Sequence, residues 1–265
     1  SVARLEERLG IKLIQRSTRQ LSLTSDGERF LASCQNAIEI LEQAEAELTS
    51  HITQPAGRLR LDLPAAFGRQ RILPIVLGIS REFPELALTV TFSERFVEPI
   101  EEGIDLVIRI GELADSSGLV ARKLTTQKMV ICASAEYLRI NGAPQSVDEL
   151  SQHPCVVGFR RNQPVSWLLK TTEGQTTRFT PPPTFEFGDG DAMLSATLTG
   201  CGLSQLPLWL VGQHLQSGEL QEVLVDSSGA EVPISALWAK SRELLPKIRY
   251  VVDKLVDAAN QGLLD

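Results

Sequence analysis

Residues 1–24, "SVARLEERLGIKLIQRSTRQLSLT", read as a helix, a turn and two short strands. Val2, Leu5 and Leu9 share one helical face, and Gly10 is the residue type that ends helices. "IKLIQ" (11–15) and "QLSLT" (20–24) then flank a basic, hydroxyl-rich tip made of Arg16, Ser17, Thr18 and Arg19. A helix followed by a two-stranded wing suits DNA. The helix, with Arg4 on it, would enter the major groove, and the wing cations would reach phosphates or the minor groove. Read alone, the hairpin also fits a solvated loop whose arginines keep the chain soluble.

Composition sets this basic end against an acidic body. The chain has 265 residues, 43% hydrophobic and 22% charged, and exceeds one comfortable core. Net charge is −7, yet residues 1–20 carry +3 and the remainder −10. Such asymmetry suggests that only the basic end meets a polyanion. Cys34, Cys132, Cys155 and Cys201 form no C-x-x-C pair, so they read as reduced core residues of a cytoplasmic protein, with no disulfide and no metal. No apolar run approaches the roughly 18 residues of a membrane span, so no membrane partner is expected. The chain opens as if inside a helix and without Met, and residues upstream are therefore expected.

Downstream of the wing, Thr24 is placed to cap a helix, with Glu28 near the reciprocal position of a capping box. Residues 25–53 contain no proline, and Leu31, Ile38, Leu41, Leu48 and Ile52 follow three-four spacing. That helix would be about 43 Å long at 1.5 Å per residue. Its seam either meets a second copy of the chain or packs on its own body; the first reading suits its length better. "TQPAG" (53–57) ends the helix. Strands and helices then alternate: "LRLDLP" (59–64), a helix over 67–83 despite Pro74, "ALTVTF" (87–92), a short helix over 97–103, and "DLVIRIG" (105–111). "LVARKL" and "MVICAS" read as two further strands, and the last helix (245–260) would return to the first lobe. A mostly parallel α/β sheet follows.

In order and spacing, "ARLEERLGIKLIQRSTRQLSLTSDGERFL", "LPAAFGRQRILPIV", "GIDLVIRIGEL", "GLVARKL", "GCGLSQLPLWLV" and "SRELLPKIRYVVDKL" resemble the LysR-type bacterial transcriptional regulators. The resemblance implies an α/β fold with a two-lobed, periplasmic-binding-protein-like effector domain, preceded by a long linker helix and a partial winged helix-turn-helix. It places a partial DNA-binding domain at 1–24, a dimerisation helix at 25–53, a hinge at 54–58 and the effector domain at 59–265. Lobe I would span about 59–126 and 234–265, and lobe II about 127–233. The implied partners are double-stranded promoter DNA, a small organic effector, an anionic one included, RNA polymerase, and further copies in a homodimer or homotetramer. Members of this family often carry a hydroxyl residue where Ala66 stands.

In open α/β sheets, ligands lie beyond the carboxyl ends of strands, near helix N-termini. Free N–H groups at Ala66, Phe67 and Gly68 would favour a carboxylate or another electron-rich group, while alanine at 66 supplies no side-chain anchor. Ser93 and Arg95 lie at the next sheet edge, and Phe159, Asp189 and Asp191 in the other lobe. Asp191 reads first as a helix N-cap and second as a ligand contact. Arg109, inside an apolar strand, reads first as a structural ion-pair partner. Thr125 and Thr126 stand at the lobe crossing as hinge residues, pocket residues or neither. His51, His153 and His214 have no nucleophile or acid at motif spacing, so no enzyme and no cofactor are expected. A free-standing solute-binding protein without a DNA role is the alternative, but it needs neither wing nor long helix. With the wing intact in the full protein, Arg16→Ala or Arg19→Ala should weaken binding to every DNA sequence. The salt slope should fall by about one unit for each phosphate no longer neutralised, as titrations at several ionic strengths would show.

Overall fold

The computed structural model describes all residues except 1, 17–20, 32, 35–36, 39–40, 42–53, 96, 114–117, 161–162, 172 and 244. Ser17, Thr18, Arg19, Leu48 and Ile52 therefore lie outside the described residues.

The helix Val2–Leu9 ends at Gly10, and β1 (Ile14–Arg16) pairs antiparallel with β2 (Leu21–Leu23). One carboxylate joins these pieces. Glu6 accepts hydrogen bonds from the Leu13 and Ile14 amides at 2.9 and 3.0 Å, and from Lys12 Nζ at 2.9 Å. The Lys12 hydrogen bond, with the Ile14 and Leu13 N–H groups, pulls the Glu6 carboxyl down to about 2, against the opposing push of burial. Thr24 closes the unit as expected: its hydroxyl donates to Lys12 O at 2.7 Å and accepts from Gly27 N at 3.0 Å, capping the helical residues that begin at 25.

Beyond the linker, one mixed sheet includes the short strands β8 (Gln163–Pro164) and β13 (Leu220–Glu222), while β9 (Trp167–Lys170) and β10 (Thr176–Phe179) pair apart from it. In the first lobe β3 (Gly57–Leu63) lies parallel to β4 (Leu86–Phe92) and β5 (Leu106–Ile110). In the second, β7 (Cys155–Arg160) lies parallel to β11 (Pro183–Phe187) and β12 (Leu203–Pro207). Between the trios run β6 (Leu119–Ser134) and β14 (Ala230–Ala239), antiparallel to each other and to their outer neighbours β12 and β5. β6 is one 16-residue strand where the sequence suggested two, because β14 supplies partners across the lobe crossing. Residues 97–103 form turns and no helix: Ile104 N bonds to Pro99 O, and the chain then enters β5. The expected helix around Pro74 is continuous from 65 to 82, with a π-turn at Gly68–Ile72. Pro74 comes just after the π-turn, so its missing N–H falls where the hydrogen-bond ladder already changes register.

Each lobe has its own core. Leu59, Leu61, Phe67, Ile72, Val76, Ile108 and Ile234 pack with Ile248, Val251 and Leu255 of the returning helix Pro246–Asn260. The second lobe's part of the sheet buries Ile131, Tyr137, Cys155 and Trp167 on one face and Cys132, Val156, Met193 and Val211 on the other. Burial pushes the Cys132 thiol up to about 12 and Cys155 to about 11, so both stay protonated core groups. In the first lobe, buried Asp105 pairs with Arg242, lies 3.6 Å from Lys247 Nζ, and accepts the Arg60 amide at 2.8 Å. Breaking such a buried set by removing one partner costs about 3–5 kcal/mol.

The Glu6 junction has a testable pH signature. Its folded carboxyl lies below the ordinary 4.5, so its contribution is full above that value and fades as pH falls towards about 2. The Leu13 and Ile14 amide resonances should hold position through the ordinary carboxylate range and move only near the lower value. In Glu6→Gln that transition should be absent and both amides should exchange faster.

Candidate functional site

A cavity of about 340 Å³ lies between the lobes, within the size range of small-molecule sites. It gathers the carboxyl ends of both parallel trios: Pro64–Phe67 after β3, Glu94 after β4, Gly111 and Glu112 after β5, Phe159 and Arg160 of β7, Phe187–Gly190 at β11 and Pro207 of β12. Gln127 and Met129 of β6 and Glu231–Pro233 of β14 add the strands that join the lobes. Two antiparallel strands thus hold two strand-end clusters face to face, which is where an α/β sheet collects a ligand.

The walls are largely apolar. Phe67 meets Trp209 edge to face at 5.4 Å, and the Arg71 guanidinium lies 5.7 Å from the Trp209 ring. The Trp209 indole N–H donates to Gln127 Oε1 at 2.9 Å, which orients the ring. Gln205 clamps Leu168, accepting its N–H at 2.8 Å and donating to its carbonyl at 2.7 Å. Gly190 approaches Ala66 closely across the cleft: a Cβ on Gly190 would stand 3.3 Å from the Ala66 methyl. A second cavity, of about 580 Å³, shares Gln127, Trp209 and Leu210 with the first and includes Arg71, Thr126 and Lys128.

Ion pairs bridge the lobes. Arg69 donates to Asp189 at 2.9 Å and to Asp191 at 2.6 Å, while Gln70 donates to Asp191 at 2.8 Å. Arg160 donates to Glu94 at 2.7 Å, and the other Glu94 oxygen accepts the Ala65 N–H at 3.0 Å. Asp189 also caps the helix Gly190–Leu198, accepting the Ala192 N–H at 3.0 Å. Burial alone would raise the Asp189 carboxyl, but Arg69 and the Ala192 amide outweigh it and hold it below its ordinary value.

Of the residues expected to meet the effector, Ala66, Phe67, Phe159 and Asp189 line the cavity. The others stand elsewhere. Gly68 packs under Leu63, where a Cβ would lie 2.5 Å from the Leu63 Cβ. The Ser93 hydroxyl is spent on buried Asp62, which also receives Arg109 at 3.4 Å, so Arg109 is the structural partner it resembled. Arg95 turns to Glu102 at the surface, and Thr126 lines the second cavity. Asp191 neither caps its helix nor lines the cavity: the helix begins two residues earlier than that role requires, and Asp189 takes the cap. Glu94, Arg69, Arg160 and Trp209 carried no motif signal, because their partners lie 66 to 138 residues away in sequence. At the other end of the chain, Arg4 is exposed on its helix, and Arg16 closes β1.

Residues 53–260 match the LysR substrate binding domain, and residues 1–28 the bacterial regulatory helix-turn-helix of the lysR family. The chain belongs to the LysR family of bacterial transcriptional regulators. This LysR-type regulator is 31% identical to the HTH-type transcriptional regulator CrgA of Neisseria meningitidis serogroup C (strain 8013), over 99% of this chain and 87% of the relative. It is 34% identical to the HTH-type transcriptional regulator DmlR of Escherichia coli (strain K12), over 84% and 72%. The solved structure of CrgA from Neisseria meningitidis superimposes with a TM-score of 0.69 at 31% identity, covering 97% of this chain and 87% of that one. The regulator therefore couples a DNA-binding helix-turn-helix to a substrate-binding domain. Among its described residues, no helix is long and apolar enough to cross a membrane.

The bridging pairs are half exposed, and such pairs are worth about 0–1 kcal/mol each. Arg69→Met should therefore lower the melting temperature at neutral pH by only about 2–4 °C. Asp189 is held below its ordinary value, so the pairing is full at neutral pH and is lost on acidification through the carboxylate range. The gap between Arg69→Met and the parent should close there, as thermal melts across pH would measure.

Proposed function

We propose that this regulator works in the cytoplasm as a homodimer or homotetramer on double-stranded promoter DNA. In this reading it senses a small organic effector between the lobes and passes the change in geometry to RNA polymerase. The working units are the DNA-binding portion at 1–24, the dimerisation helix at 25–53, the hinge at 54–58 and the effector domain at 59–265. Arg4, Arg16, Ser17, Thr18 and Arg19 hold DNA in this scheme, and Leu31, Ile38, Leu41, Leu48 and Ile52 pair the helices. An effector that prefers one lobe arrangement shifts the population towards it, by as much as its affinities for the two states differ.

One observation carries the oligomeric part. Leu31, Ile38 and Leu41, on helical backbone after the wing, are 44%, 54% and 64% exposed. Apolar side chains at seam spacing gain stability when a second copy covers them. No catalytic step is part of this proposal. His153 is engaged by Tyr137 at 2.8 Å and His214 by Glu219 at 2.7 Å, and the curated relatives are transcriptional regulators. A solute-binding protein without a DNA role leaves the wing and the linker helix unused.

The test is Ile38→Asp combined with Leu41→Asp in the full protein. Both positions are exposed in the single chain, so its own fold should survive. Burying the new charges in a paired seam should cost several kcal/mol. Sedimentation should show smaller species, and binding to a promoter fragment should weaken. A variant that keeps the parent's association state would overturn the helix as the pairing element.

A further inference from the structure

We propose that the interlobe cavity takes an uncharged, ring-bearing molecule, and that the chain's own carboxylates keep anions out. This rests on the effector reading above and adds its chemical class. Two of the three helix N-termini at the cavity, places where an anion would be drawn, already hold a carboxylate of the chain, and the third, of the helix Leu208–Ser217, carries Trp209 and Leu210 in its first turn. Glu94 accepts the Ala65 N–H, and Asp189 accepts the Ala192 N–H. The two guanidinium groups beside them are engaged as well: Arg160 by Glu94, and Arg69 by Asp189 and Asp191.

The remaining charge points the same way. The lining holds Glu94, Glu112, Asp189 and Glu231 against Arg160 and Arg178, an excess of negative charge. A carboxylate entering at either capped end would have to displace Glu94 or Asp189, leaving two like charges at one poorly solvated mouth. A cation gains little in exchange, because Glu94 and Asp189 are already paired, while Glu112 and Glu231 are exposed to water.

What the walls offer instead suits a ring. Phe67, Phe159, Phe187 and Trp209 supply aromatic surface, and Met129 and Met193 adaptable apolar surface. The helix Leu208–Ser217 begins in the lining at Pro207 with no side-chain cap, so its first N–H groups can be met by a carbonyl or hydroxyl oxygen on a neutral ligand. The ligand class is therefore an aromatic alcohol, amide, ester or similar neutral oxygenated ring compound.

The experiment is titration calorimetry of the full protein with benzyl alcohol, benzamide, benzoate and benzylamine, which share one ring and differ in charge. Benzyl alcohol and benzamide should bind, with benzoate and benzylamine about tenfold weaker or worse, because the counter-charges left in the lining, Arg178, Glu112 and Glu231, are exposed to water and repay little of the desolvation. Glu94→Gln keeps an acceptor for the Ala65 N–H but removes the counter-charge of Arg160. In that variant benzoate should gain about tenfold relative to benzamide. Val165→Trp, which places a large ring in the lining, should abolish binding of all four. Benzoate or benzylamine binding tightest to the parent, no binding by any of the four, or an unchanged ratio in Glu94→Gln would each overturn the proposed class. Binding that persists unchanged in Val165→Trp would instead overturn the cavity as the effector site.

Discussion

The ladder between β6 and β14 is the constraint on which everything else depends. All ten residues of β14 pair with β6, from Ala230 opposite Met129 to Ala239 opposite Leu119. The register slips once, between Ile234 and Ser235, so that Leu124 is passed over where the strands leave one lobe for the other. A bulge of this kind bends a strand and increases its local twist. The same two strands that join the lobes also contribute Gln127, Met129 and Val232 to the cavity. Their path therefore sets how the two clusters of strand ends face each other.

Across that cavity the lobes are held by contacts that are numerous but individually weak. Arg69, Gln70 and Arg160 reach Asp189, Asp191 and Glu94 across partly exposed ground. Interactions of this strength bias an arrangement without locking it. An effector with a modest preference between lobe arrangements is then enough to move the population. The buried set of Asp105, Arg242, Lys247 and the Arg60 amide does the opposite work, fixing the first lobe as a rigid body. Rigid lobes with a soft seam are what a ligand-operated hinge requires. The wing uses the same device on a smaller scale, with Glu6 tying the helix to β1 through two amides and a lysine.

Most of the architecture was legible in the residues. Period-two and period-3.6 patterns located β3, β4, β5 and the closing helix to within about two residues, because each buries one apolar face. The failures have local causes. The sequence pattern breaks β6 in two at Thr125–Lys128, where polar residues interrupt the apolar run but β14 still pairs alongside. Residues 97–103 have helix-like composition yet turn directly into β5. Asp191 looked like a cap because it precedes an apolar run, and Asp189, two residues earlier, took the place.

At the site, Ala66, Phe67, Phe159 and Asp189 were found because the ends of strands and the starts of helices are local signals. Glu94, Arg69, Arg160 and Trp209 were not, and neither was the fate of Ser93 and Arg95. By itself the sequence determined the two-stranded hairpin, the helical start after Thr24, the α/β alternation and the family, since periodicity and motif order are written along the chain. Only the tertiary structure decided which charges cancel and which face the cavity. A carboxylate's partner is set by proximity in space, and here the lobes bring together groups that the chain holds far apart.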